Sequence, residues 1–199
     1  MLTIQKNSRQ VPKVEIYTTS KQYYDLIYSY LQEISYLEDG NRYVNKKECS
    51  STCIGERLQM TRQTASKYFK GLIELDLIEY QEVGRIKRYK LKPLDKSVAC
   101  LVPFETLRIL NNALNHNAIS IYVYLINRYI ANGEKEFVVT NNQLLAFIGY
   151  AFSPNNNIIV GDILNVLQKL ELIFIRYEQT KENKTLRYIT YVTNMIKKC

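Results

Sequence analysis

The chain has 199 residues, a hydrophobic fraction of 46% and a formal net charge of +8 at pH 7. This length allows one large domain or two domains of about 100 residues, and no run of about 18 apolar residues predicts a membrane span. The N-terminus lacks the apolar core of a signal peptide, so we expect a cytoplasmic protein with no membrane partner. The basic excess indicates an anionic partner, although net charge alone says little about function.

Residue types that carry catalysis or bind metals are scarce. The chain has one histidine and four cysteines, with no Cys-x-x-Cys pair and no phosphate-cradling Gly-x-x-x-x-Gly-Lys-Ser/Thr run. Nucleophilic triads and most general-base schemes depend on histidine. The sequence therefore predicts a protein that is not an enzyme and that has no cofactor and no metal site.

The first half of the chain predicts three helices and then a hairpin. Apolar residues recur every three or four positions in residues 20–37, 50–58 and 62–75. The expected N-caps are Ser20, Ser50 or Ser51, and Thr61; the third helix is expected to bury Ala65, Phe69, Leu72 and Ile73. A polar break is expected at 38–41. The strand-like runs 78–83 and 86–91 flank Gly84-Arg85, which is typical of a hairpin.

The second half predicts the same order of elements. After an opening segment at Pro103, the pattern predicts a helix over 119–131 and a short helix that begins at the capping box of Thr140 and Gln143. A turn-rich connector is expected at 153–157, then a helix to about residue 170 and strands over 172–179 and 185–193. That last helix is expected to bury Ile159, Ile163, Val166 and Leu170, and to expose Asn156, Asn157, Val160, Gly161, Asn165 and Lys169.

Residues 53–78 resemble the helix-turn-helix core of winged-helix DNA-binding proteins, and the match covers about 40 residues with the hairpin. The resemblance and the repeated order imply an α+β, mostly helical fold with two winged helix-turn-helix domains in tandem. We place an N-terminal arm at 1–19, the first domain at 20–95 and the second at 96–199.

A second resemblance concerns biological role. Residues 101–107 and 121–129 are similar to the opening of winged-helix domains in plasmid and phage replication initiators of low-GC bacteria. It implies a sequence-specific double-stranded DNA-binding protein that recognises repeats at an origin. Two alternatives stay open: a transcriptional repressor whose second domain dimerises, and a protein-interaction module. A homodimer and contacts with replication or transcription machinery are left open as partners.

Two windows of the first half, 57–70 and 85–92, contain basic residues and no acid. In a winged helix the third helix enters the major groove, so we expect Arg62 and Gln63 to reach base edges and Lys67 and Lys70 to reach phosphates. Arg85 would enter a minor groove or lie on the backbone. The candidate DNA contacts are Thr61, Arg62, Gln63, Thr64, Ser66, Lys67, Lys70, Arg85, Lys87, Arg88, Asn156, Asn157, Lys181 and Lys184.

Overall fold

The computed structural model of the protein describes residues 8–12, 23–94, 99–114, 116–182 and 184–193. Over these residues the chain forms seven helices and nine strands, the strands lying in three antiparallel sheets. The predicted α+β class is confirmed. No helix in these ranges is long and apolar enough to cross a membrane.

Contacts divide the described residues into two compact units. The N-terminal unit holds residues 8–12 and 23–108, and the C-terminal unit holds residues 109–193. The division falls after Arg108, whereas the sequence placed a domain boundary at 95/96; that boundary stays a prediction. Of the predicted arm at 1–19, only 8–12 are described, and they form a strand of the N-terminal unit.

The N-terminal unit contains the three helices and the hairpin that the sequence predicts. Its elements are β1 (Ser8–Pro12), α1 (Tyr24–Ile34), β2 (Tyr36–Glu38), β3 (Asn41–Asn45), α2 (Ser51–Leu58), α3 (Arg62–Glu74), β4 (Ile78–Val83), β5 (Ile86–Leu91) and β6 (Ala99–Pro103). Strand β1 pairs with β6, and the other four strands form one sheet in the order β2-β3-β5-β4. Ser50 and Thr61 cap α2 and α3 as expected, whereas Ser20 lies outside the described residues.

The polar break expected at 38–41 is the turn of a second hairpin, formed by β2 and β3. Asp39 and Gly40 occupy this turn with φ angles of 48° and 75°. The break is thus present, but the sequence did not predict β2, because this strand has only three residues and all of them are exposed, so it lacks the alternation that marks a half-buried strand.

Helices α1, α2 and α3 pack around one core whose side chains are almost fully buried, including those of Leu31, Ile54, Leu72 and Ile78. Helix α3 buries Ala65, Tyr68, Phe69 and Leu72. Ile73, which was expected inside, is 40% exposed. Ile73 lies about 80° from Ala65 around the helix axis, at the edge of the buried face of α3. On the other edge of that face Tyr68, which was not expected inside, is buried.

The C-terminal unit also follows the predicted order. Its elements are α4 (Phe104–Ala113, of which 109–113 belong to this unit), α5 (His116–Ala131), β7 (Phe137–Val138), α6 (Asn141–Phe147), α7 (Pro154–Lys169), β8 (Ile173–Gln179) and β9 (Thr185–Val192). The strands form a sheet in the order β7-β9-β8. The capping box of Thr140 and Gln143 is present at the start of α6, with both of its hydrogen bonds.

The connector expected at 153–157 is the first turn of α7. Ser153 is the N-cap, and its Oγ accepts the backbone N–H of Asn156 at 3.1 Å, while Pro154 occupies the first helical position. The buried face of α7 is Val160, Ile163, Leu164 and Leu167, whereas Ile159, Val166 and Leu170, which were expected inside, are half-buried. The prediction that Val160 faces outward was wrong. The apolar residues of the segment spread over more than half of the helix circumference, so its periodicity allowed more than one buried face.

Candidate nucleic-acid interface

Helix α3 begins at a defined cap that places its first residues at the surface. The Thr61 Oγ1 accepts the backbone N–H of Thr64 at 3.1 Å and lies 2.9 Å from the Thr64 hydroxyl oxygen. This cap satisfies one of the free N–H groups of the first turn. Thr61 therefore contributes to the helix end as well as to the exposed surface.

The side of α3 opposite its buried stripe is polar and basic. Arg62, Gln63, Lys67 and Lys70 are exposed, and Thr64 and Ser66 are half-buried beside them. The Lys67 ammonium lies 5.4 Å from the centroid of the Tyr68 ring. From residue 57 to residue 70 the sequence contains no carboxylate that would neutralise these cations. This surface can hold an anion, and its amide and guanidinium groups can form directional hydrogen bonds.

Arg62 has a contact that the sequence did not suggest. Its Nε lies 3.3 Å from the Oγ of Ser51, the first residue of α2. The two helix starts meet because the turn between α2 and α3 is tight; the Met60 N–H donates to the Gly55 carbonyl at 3.0 Å. When Nε is held in this way, the two terminal nitrogens of the guanidinium remain free to form a bidentate contact.

The tip of the β4–β5 hairpin carries further positive charge. Arg85 is exposed at the turn, and the Lys87 ammonium lies 3.3 Å from a Glu82 carboxylate oxygen. Tyr80 also donates to Glu82, at 2.7 Å. The hydrogen bond from Tyr80, followed by the one from Lys87, lowers the pKa of Glu82. Glu82 thus already has the Tyr80 hydroxyl and the Lys87 ammonium as partners.

Arg88 does not lie with the other predicted contacts. Its side chain is 11% exposed, its guanidinium stacks 3.7 Å over the Tyr43 ring, and it forms an ion pair with Glu38. Alternation along β5 puts Arg88 on the opposite side of the strand from Lys87. The structure therefore uses Arg88 to hold the β2–β3 hairpin against β5, and we exclude it from the candidate interface.

Two lysines that the sequence did not single out lie next to the hairpin. Lys46 and Lys47 follow β3, and with Asn45, Glu48, Arg85, Ile86 and Lys87 they line an open groove of roughly 760 Å³. The Lys46 ammonium is 5.1 Å from the centroid of the Tyr80 ring. A search for acid-free windows misses this pair because Glu48 follows it directly. A search for adjacent lysines in a loop would have found it.

In the C-terminal unit, the predicted contacts on α7 are only partly exposed. Asn156 and Asn157 are half-buried. The Asn156 side-chain amide donates to the Ala151 carbonyl at 2.7 Å, and the Asn157 Oδ1 is buried with no hydrogen-bond partner among the described residues. The exposed side of α7 carries Ile158, which is 62% exposed, and Asp162. This surface is much less suited to an anion than that of α3.

The hairpin of the C-terminal unit is weakly basic. Lys181 is exposed, whereas Lys184 forms an ion pair with Glu182 at 2.7 Å. Arg187 lies on β9 and donates to the Asn141 side-chain oxygen at 2.8 Å. Burial lowers the pKa of Arg187. Arg62, Gln63, Lys67 and Lys70 of α3 and Arg85 at the first hairpin tip are thus exposed, while the predicted residues of the second unit lie in less basic surroundings.

Comparisons with protein-family models, with curated proteins and with solved structures gave no match to this chain. The evidence for the candidate interface is therefore the geometry and charge of its residues. Among the described side chains, no group of three or more histidine, cysteine, aspartate or glutamate residues is placed to hold a metal ion.

Proposed function

We propose that this protein binds double-stranded DNA, with a winged-helix domain formed by α1, α2, α3 and the β4–β5 hairpin. The observation that carries the proposal is the exposed face of α3: Arg62, Gln63, Lys67 and Lys70 occupy it from the first turn onward, its one acid is Glu74 at the last turn, and the helix is followed by a hairpin with Arg85 at its tip. An α-helix fits the major groove of B-DNA, and a neighbouring hairpin can reach the adjacent backbone or minor groove.

In this arrangement the start of α3 would read bases. Arg62 would donate to O6 and N7 of a guanine, and Gln63 would pair with N6 and N7 of an adenine. Lys67 and Lys70 would contact phosphates, which fix register and affinity but carry no sequence information. The protein would act by binding in the cytoplasm rather than by catalysis.

We further propose that the C-terminal unit is a second winged helix, so that the chain recognises repeated sites, for example at a plasmid or phage origin of replication. Internal repetition supports this proposal. A shift of 95 residues superposes the buried positions of α3 and β4 on those of α7 and β8; the pairs are Ala65 with Val160, Tyr68 with Ile163, Phe69 with Leu164, Leu72 with Leu167, and Ile78 with Ile173.

A second candidate function is a transcriptional regulator whose C-terminal unit makes protein contacts. The exposed side of α7 favours it, because Gln63 and Lys67 of α3 correspond under the same shift to Ile158 and Asp162. An exposed isoleucine beside a carboxylate fits a protein surface better than a phosphate backbone.

Selection of bound duplexes from a random pool separates these functions. An origin-binding protein should enrich a motif that recurs as direct repeats, and footprinting of a natural site should show several protected copies. A repressor should enrich one palindrome. If no sequence is enriched and no duplex binds even at low salt, the protein does not bind DNA.

Substitution of Arg62 and of Lys67 should have different effects on DNA binding. We expect Arg62→Ala to cost about 1–3 kcal/mol at one base position and to relax the sequence preference there. Lys67→Ala should weaken binding to all sequences alike. It should also reduce the magnitude of the slope of log affinity against log salt by about 0.9, the value for one phosphate contact. Equilibrium binding to the selected site and to single-base variants tests both. An equal loss for Arg62→Ala on every sequence would assign Arg62 to a phosphate.

Ser51 is expected to act through Arg62 as a positioning residue. In Ser51→Ala the guanidinium no longer has a hydroxyl beside its Nε, so the preference at the base read by Arg62 should fall severalfold while the slope of log affinity against log salt stays the same. Ser51→Thr keeps a hydroxyl at this position and serves as the control. A changed salt slope with unchanged base preference would show that Ser51 contacts a phosphate itself.

A further inference from the structure

We propose that the groove between the loop at residues 45–48 and strand β5 is a second phosphate-binding site, which holds the backbone of the bound duplex next to the part read by α3. We call it the loop–hairpin groove; its cations are Lys46, Lys47, Arg85 and Lys87. This inference rests on the proposed DNA-binding function and adds Lys46 and Lys47 to it. The ligand is the phosphodiester backbone, with no requirement for base sequence.

The loop–hairpin groove is connected to the α3 surface by a short series of contacts. The loop at 45–48 leads to Ser50 and Ser51, and Ser51 lies 3.3 Å from Arg62 of α3. At its other end the loop is tied to the hairpin, because the Lys46 N–H donates to the Lys87 carbonyl at 2.9 Å. The loop is therefore held to the hairpin at one end and continues at the other into the start of α2, which contacts Arg62 of α3.

The charge of the groove is largely available to a ligand. Within the described parts of the chain, neither Lys47 nor Arg85 has an acidic partner. Glu82 already accepts hydrogen bonds from Tyr80 and Lys87, and Glu48, the one acid that lines the groove, is 3.3 Å from the Asn45 side-chain nitrogen. Lys87 is paired with Glu82, so Lys46, Lys47 and Arg85 remain against the one lining carboxylate, Glu48. This excess of positive charge, spread over three side chains, attracts a polyanion rather than a single small anion.

The shape of the groove also favours a chain of phosphates. It is open to solvent, and exposed Ile86 on β5 lines it together with the cations. An exposed isoleucine between basic side chains can contact deoxyribose while ammonium groups contact the phosphates on either side. An enclosed, wholly polar cavity would instead favour a small free anion.

The test compares salt dependence of binding for the full-length protein and a 30-base-pair duplex of random sequence. In Lys46→Ala/Lys47→Ala, the slope of log affinity against log salt should fall in magnitude by about 2, since each phosphate that is no longer neutralised reduces it by about 0.9. The matched control is Arg128→Ala/Lys135→Ala, which removes the same charge from exposed positions of the C-terminal unit and should leave the slope close to that of the wild type.

A charge-preserving variant separates charge from loop structure. Lys46→Arg/Lys47→Arg should restore the wild-type slope if the groove acts through its cations. If the alanine variant has the slope of its control while Lys67→Ala still reduces the slope, the groove inference is wrong and the DNA-binding proposal stands. If the wild type shows no salt-dependent binding to any duplex, both are wrong.

Discussion

Replacing Gly55 with alanine is expected to lower the free energy of unfolding of the N-terminal unit by about 1–3 kcal/mol. A Cβ at Gly55 would lie 2.8 Å from the Met60 carbonyl oxygen, a backbone atom in the turn that leads to α3. Relief of this clash has to move the turn, and the turn sets the position of Arg62 relative to Ser51. The same substitution should therefore also reduce DNA affinity.

Gly161→Ala is the matched control for this prediction. Gly161 lies within helix α7, and a Cβ there would meet nothing within 4 Å. Alanine is favoured over glycine inside a helix by about 1 kcal/mol, so this variant should be more stable than the wild type. Urea unfolding of both variants measures the two effects. An increase in stability for Gly55→Ala would mean that the turn adapts at little cost.

Asp25→Asn is expected to stabilise the N-terminal unit at alkaline pH. Asp25 is 3% exposed near the start of α1, and its carboxylate accepts the Leu26 N–H at 2.8 Å. Burial raises the pKa of this carboxyl from 3.8 to about 7, although the backbone hydrogen bonds act in the opposite direction. Asparagine keeps an acceptor oxygen of similar size and cannot ionise.

The sign of the pH dependence follows from the raised pKa. Between pH 3.8 and about 7 the folded chain binds more protons at Asp25 than the unfolded chain does, so this group makes the protein less stable as the pH rises through that interval. Well above pH 7 Asp25 is ionised in both states, and its effect on stability no longer changes with pH. The stability advantage of Asp25→Asn over the wild type should thus grow by about 2–4 kcal/mol between pH 4 and pH 8.

Urea unfolding at several pH values measures this effect, with Asp162→Asn as a control that removes an exposed carboxylate. An Asp25→Asn variant that is less stable than the wild type at pH 8 would show that the carboxylate of Asp25 is stabilised by a charge or donor that the asparagine cannot replace.

Local sequence signals determined most of the secondary structure and the start of the candidate interface. A cap followed by helical periodicity located the starts of α2, α3 and α6, since a Ser or Thr cap bonds a backbone N–H only three residues away. Acid-free basic windows located Arg62, Lys67 and Arg85. These signals extend over a few residues, so one sequence without relatives is enough to find them.

The tertiary structure alone decided which of these residues can act together. Arg88 belongs to a basic window, yet Tyr43 and Glu38 from another hairpin enclose it; Lys46 and Lys47 precede an acid in the sequence, yet the pairing of β3 with β5 brings them beside Arg85. The buried face of α7 also depended on its neighbours, because apolar residues cover more than half of the circumference of that helix. The physical reason is the same in each case: exposure and charge pairing depend on contacts between residues far apart in the chain, and a local pattern does not contain them.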